Sequence, residues 1–249
     1  MKLEVCIDNI ESALTAEQAG ADRLELCGSL SVGGVTPPYS LIKSAVNLVK
    51  IPCYVMIRPR AGDFLFSANE VKMMLDDIQI AKELGAKGLV IGALTEKAKI
   101  DLATCEKLIQ AADGLGVTFH RAFDLCQDPF ESLEQVITLG CERILTSGQK
   151  TTALQGKNLL KKLVEQANDR IQIMAGAGVN AENALTLISQ ANVQELHLSG
   201  KSYRLSAMKL QSDAVMGNNA EEDQKIWITD YDKIQAVRKQ LDTRKNKKS

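Results

Sequence analysis

Eight short apolar runs recur along most of this chain: LEVCI, RLELC, CYVMIR, GLVIG, VTFHRA, RILTSG, IQIMAGAG and ELHLSG. Helix-length segments separate them. Short strand-like runs alternating with helical patterns mark βα units around a parallel sheet. Eight units within 249 residues match the size of one closed (β/α)8 barrel. The joints agree. Gly20-Ala-Asp-Arg-Leu and Gly85-Ala-Lys-Gly-Leu each stop a helix and enter a strand at once, as do Gly140-Cys-Glu-Arg-Ile and Ala191-Asn-Val-Gln-Glu-Leu. The expected fold is therefore a single-domain TIM barrel over residues 1–243. It carries a loop-rich, irregular segment (201–226) before the last helix and a basic, disordered tail at 244–249.

Composition narrows the partners. Thirty Lys and Arg nearly cancel 31 Asp and Glu, so nothing global favours nucleic acid or an anionic membrane. No apolar stretch is long enough to span a bilayer. Met1-Lys2 leads straight into a strand-like run, which points to a cytoplasmic protein. The six cysteines form no CxxC pair and are expected to be thiols.

Function in such a barrel sits at the C-terminal ends of the strands. Side chains two apart on a strand share a face. The polar sets Glu4/Cys6/Asp8, Arg23/Glu25/Cys27, Met56/Arg58/Arg60, Thr118/His120 and Glu195/His197/Ser199 then point into the barrel or its mouth. Buried charge must be paired, so Glu4 or Glu25 is expected to pair with Arg58. Glu25, Arg58, His120 and His197 are the candidate catalytic residues. His120 has the position and ordinary pKa of a general acid or base, with Asp124 placed to orient it. The plainer reading is a packed, hydrogen-bonded histidine, and a metal ligand is the third.

Small residues after the last strands form a candidate anion cradle: Ser147, Gly148, Gly176, Gly178, Ser199 and Gly200. Cys6 and Cys27 end neighbouring strands with inward parity. They read as two buried hydrophobes, or as a thiolate pair for a soft ion such as Cu(I).

LEVCIDNIESALTAEQAGADRLELC, SVGGVTPP, MIRPRAGDF, VTFHRAFD, ILTSG, IMAGAGVN and LHLSG, in that order over residues 1–210, resemble the copper homeostasis protein CutC family. The resemblance implies a cytoplasmic (β/α)8 barrel, a homodimer or higher homo-oligomer, and a role in intracellular copper handling. It also implies Cys6 and Cys27 as the matching candidate Cu(I) ligands. Beside that stand an enzyme (isomerase, lyase or hydrolase) acting on a small anionic or phosphorylated metabolite, and an oligomeric scaffold whose 201–226 segment covers a partner subunit.

Overall fold

The structure, a computed structural model, describes residues 1–209, 214–216 and 219–246. Eight parallel strands close on themselves, each paired with the next and the last with the first. They are β1 (Lys2–Ile7), β2 (Arg23–Leu26), β3 (Cys53–Met56), β4 (Gly88–Ile91), β5 (Gly116–Phe119), β6 (Arg143–Thr146), β7 (Gln172–Ala175) and β8 (Glu195–Leu198). Helices α1 (Ile10–Gln18), α2 (Tyr39–Leu48), α3 (Ala68–Glu83), α4 (Leu102–Ala112), α5 (Pro129–Thr138), α6 (Ala153–Ala167) and α7 (Ala184–Gln190) follow the first seven strands. The chain then forms β9 (Lys201–Leu205), α8 (Ala220–Asp223), β10 (Lys225–Thr229) and α9 (Tyr231–Asn246).

The helix ends follow local chemistry. Ser67 and Glu70 form a reciprocal capping box at α3. Asp128 caps α5, with Pro129 in its first turn. At α1 the cap is Asn9, whose side chain accepts from Ser12 N. Asp8, just before it, accepts from Leu30 N in the loop after β2.

The strands divide their side chains as parity requires. Leu3, Val5, Leu24, Leu26, Val55, Leu89, Ile91, Phe119 and Ile144 are buried in the apolar layer shared with the helices. The barrel interior is polar at its lower level. Arg23 bridges Glu4 and Glu195, and Arg143 pairs with the same Glu195 and with Glu142. Both guanidinium carbons lie 5.1 Å from the Tyr54 ring centroid, so the ring packs between two cations. Tyr54 registers against Gly88, which registers against Gly116. A Cβ on Gly88 would come within 2.1 Å of the ring, and one on Gly116 within 2.3 Å of its hydroxyl. Two successive strands thus leave out a side chain to make room for one aromatic ring.

Two expectations change. The 201–226 segment is not merely irregular. Its ends pair as the antiparallel ribbon β9–β10, which packs on α1 through Asn9 Nδ2 to Trp227 O and Thr229 N to Ser12 Oγ. Most of β9 is exposed, so no buried face printed an apolar alternation on it. Residues 244–246 are not a disordered tail, because α9 continues to Asn246. Residues 247–249 lie outside the described residues.

Candidate functional site

The strand register decides which polar side chains meet. Glu4 on β1 stands opposite both Arg23 on β2 and His197 on β8, while Cys6 stands opposite Glu25. His197 Nδ1 lies 2.8 Å from Glu4 Oε1, and its Nε2 lies 3.8 Å from Glu25 Oε2. Cys6 is hydrogen-bonded to the same imidazole. Cys27 Sγ donates to Glu25 Oε2 at 3.3 Å from the other side. The expected pairing of Glu4 or Glu25 with Arg58 does not form. Glu4 takes Arg23 and His197 instead, because Arg58 lies beyond the end of β3. Arg58 Nη1 and Nη2 reach the carbonyls of Val32, Gly34 and Gly62 and pin the loops after β2 and β3.

These groups border a cavity of about 1060 Å³ at the C-terminal mouth. Cys6, Glu25, Arg58, His120 and His197 all line it. Trp227 and Lys233 supply part of its wall from beyond β8.

The two carboxyl groups of the floor have opposite environments. Burial opposes the charge of Glu4, but Arg23 and His197 overcome it and hold the group near 2. Glu25 is buried with no arginine bonded to it, and desolvation pushes it up. Its Oε1 has no hydrogen-bond partner. His197 is pushed well up despite burial by Cys6, Glu25 and Glu4. Desolvation raises both Cys6 and Cys27. Glu4 is thus held toward its charged form, and burial pushes Glu25 toward its protonated form.

His120 sits across the mouth. Gly92 makes room for it, since a Cβ there would lie 2.5 Å from the ring. Its Nδ1 accepts from Ala122 N at 3.2 Å, so the neutral ring carries its proton on Nε2, which has no partner. Burial and then Arg58 lower its pKa to about 3. Asp124 does not orient it. That carboxylate accepts from Thr146 Oγ1, Ser147 N, Gln149 N and Arg121, and builds the loop after β6.

The glycine-rich loops divide. Ser147 N donates to Asp124, Gly148 N to Thr146 Oγ1 and Gly176 N to Thr146 O. Those three amides are engaged inside the protein. Gly178, Ser199 and Gly200 line the cavity. Helix α7 begins at Ala184, so its first turn does not follow directly on the 176–178 loop. Among the described residues, one group of three or more His, Cys, Asp and Glu has converging ligand atoms. It is Cys6, Glu25 and His197, whose ligand atoms lie within 4.8 Å of one another.

The CutC family model matches residues 1–202. A CutC family protein of Pasteurella multocida is 69% identical over 238 residues, covering 96% of this chain and 98% of the relative. The chain belongs to the CutC family. The CutC relative of Histophilus somni is 64% identical over 239 residues, covering 96% of this chain and 98% of the relative. The crystal structure of the Streptococcus agalactiae CutC superposes with a TM-score of 0.77 at 38% identity, covering 80% of this chain and 98% of that one. Phosphoribosylanthranilate isomerase from Thermotoga maritima shares the barrel alone, with a TM-score of 0.57 at 14% identity over 96% of this chain and 97% of that one. The whole polar floor of this CutC barrel lies within the matched residues, whereas the Trp227 wall lies beyond them.

Sequence reasoning brought Cys6, Cys27, Glu25 and His197 to one place through strand parity, and the structure joins them. It missed Arg143, which has the same inward parity as Leu145 on β6. It also missed Phe64, whose loop position gives no periodic signal. Its ring lies 4.7 Å from the Arg58 guanidinium and 4.8 Å from the His120 ring.

Proposed function

We propose that this CutC barrel is an acid–base enzyme of the isomerase or lyase class, acting on a small oxygen-rich metabolite in the cavity. One observation carries this reading. Three residues lining one cavity each hold a buried polar atom with no partner: Glu25 Oε1, Arg58 Nε and His120 Nε2. In the protonated form that burial favours, Glu25 is a donor like the other two, and all three lack an acceptor. Unpaired buried donors cost about 1–3 kcal/mol each, and a ligand rich in carbonyl or carboxylate oxygen supplies what they lack. Glu25 gives its proton to the substrate oxygen. The carboxylate left behind is stabilised by the His197 imidazolium 3.8 Å away, which Glu4 orients. The proton then returns from substrate carbon to Glu25.

The test is solvent deuterium wash-in at the carbon beside the carbonyl of a panel of 2-oxo acids, followed by NMR. The wild type exchanges, and the isosteric E25Q variant slows exchange at least about 100-fold. No wild-type exchange across the panel, or equal exchange by E25Q, overturns the reading.

A second reading is Cu(I) capture, favoured by the convergence of Cys6, His197 and Glu25. Sulfur and imidazole suit that ion, so Cys6 and His197 would hold it. Cys27, fully buried and turned to Glu25, would join after releasing its hydrogen bond. Against a competing chelator, C6A loses Cu(I) binding at least about tenfold and C27A loses less, because Cys6 alone lies in the converging group. Unchanged binding in the C6A/C27A double variant removes the copper site.

A further inference from the structure

We infer that Arg58 and His120 form a binding site for a carboxylate group of the substrate, shuttered by the Phe64 side chain. This rests on the metabolite-enzyme reading and names the chemistry of the substrate's far end.

The donor count selects the ligand. Arg58 spends both Nη1 hydrogens and one Nη2 hydrogen on three backbone carbonyls, and its Nε is a buried nitrogen with no partner at all. His120 has spent Nδ1 on Ala122 N, leaving Nε2–H alone unpaired. Both residues are at most 5% exposed, and both border the cavity. Two buried N–H donors on residues that share the Phe64 ring as a neighbour answer the two oxygens of one carboxylate. The neutral imidazole leaves a single positive charge, which matches a monoanion. A phosphate, with three terminal oxygens and up to two charges, would leave acceptors unmet here.

Both nitrogens are shut from solvent, and the Phe64 ring packs on both groups. Phe64 O is fixed by Leu94 N at 2.8 Å. The backbone is therefore held while the ring can turn about its own side-chain bonds. Stacking on an arginine is a modest interaction, so a charged ligand that satisfies two orphaned donors can displace the ring.

The experiment titrates protein labelled with 15N-histidine against pyruvate, neutral pyruvamide and inorganic phosphate, following the His120 Nε2 resonance. Pyruvate is expected to give a saturable shift. Pyruvamide and phosphate are expected to bind at least tenfold more weakly. In equilibrium dialysis with labelled pyruvate, which does not depend on the His120 signal, H120F lowers pyruvate affinity at least tenfold and R58K at least threefold. F64A accelerates association. No saturable shift with pyruvate, equal affinity for pyruvamide or phosphate, or full affinity in H120F overturns the site. E25Q separates the two proposals. Pyruvate binding retained by E25Q, with no deuterium exchange by the wild type, leaves the carboxylate site standing and removes the acid–base reaction. Exchange on pyruvamide as fast as on pyruvate supports the reaction and removes the carboxylate site.

Discussion

Arg23→Met is expected to lower stability by about 3–5 kcal/mol in urea denaturation, or about 10 °C in Tm. Arg23 is almost wholly buried and holds Glu4 on one side and Glu195 on the other. Methionine fills much of its volume but leaves two carboxylates inside the barrel with less counter-charge. Arg143 still reaches Glu195, and His197 still reaches Glu4, so the loss stays short of two bare buried charges. The pH dependence identifies the cause. With Arg23 present, Glu4 is held near 2. Its contribution to stability is present above the ordinary carboxylate value and fades as pH falls from about 4.5 toward 2. Without Arg23 the Glu4 pKa rises, and protonation relieves the variant. The deficit should therefore narrow below pH 4.5. A Tm within about 2 °C of wild type, or a deficit that does not shrink in acid, would show that the polar core does not depend on this ion pair. The exposed Arg170–Glu134 pair provides the contrast. R170M should be indistinguishable from wild type, since water and salt screen such pairs.

His120→Phe should change how stability responds to mild acid. The unfolded chain protonates this histidine below about pH 6.5, whereas the folded protein excludes the proton until about 3. A depressed histidine thus subtracts stability as pH falls through that window, by up to about 1.4 kcal/mol per pH unit. Phenylalanine fits the aromatic neighbourhood of Phe64 and Phe119 and removes the titration. Glu25 has the opposite sign. Its raised pKa gives stability at low pH that is lost as pH rises, so the wild-type profile alone is a sum of opposing slopes. The difference between wild type and variant isolates His120. From pH 6.5 to 4.5 the variant should gain about 2 kcal/mol relative to wild type. Parallel profiles would mean that His120 is not held neutral.

Strand parity was enough to reveal the barrel and most of its polar interior, because a side-chain period of two survives in a single sequence. It could not reveal which acid meets which base. Arg23 reaches Glu195 across two intervening strand pairings, β2 to β1 and β1 to β8, and that contact depends on the stagger with which the sheet closes. Arg58 looked like a core partner for Glu4 or Glu25. One residue past Ile57 the chain leaves the sheet, and nearby loop carbonyls claim the guanidinium. The β9–β10 ribbon went unread for the opposite reason. With Lys201, Tyr203, Arg204 and Leu205 all exposed, it has little of the inside-outside contrast that a pattern needs.

That ribbon separates two tasks that a single loop could have combined. The polar floor of Glu4, Cys6, Glu25 and His197 is carried on strands locked into the closed sheet. Trp227 and Lys233, part of the wall that an entering molecule passes, belong to the ribbon and the helix after it. A substitution on the wall need not disturb the register that aligns the floor. The alignment of the floor is therefore fixed by sheet closure, while the shape of this part of the wall is set by the ribbon and helix packed outside it.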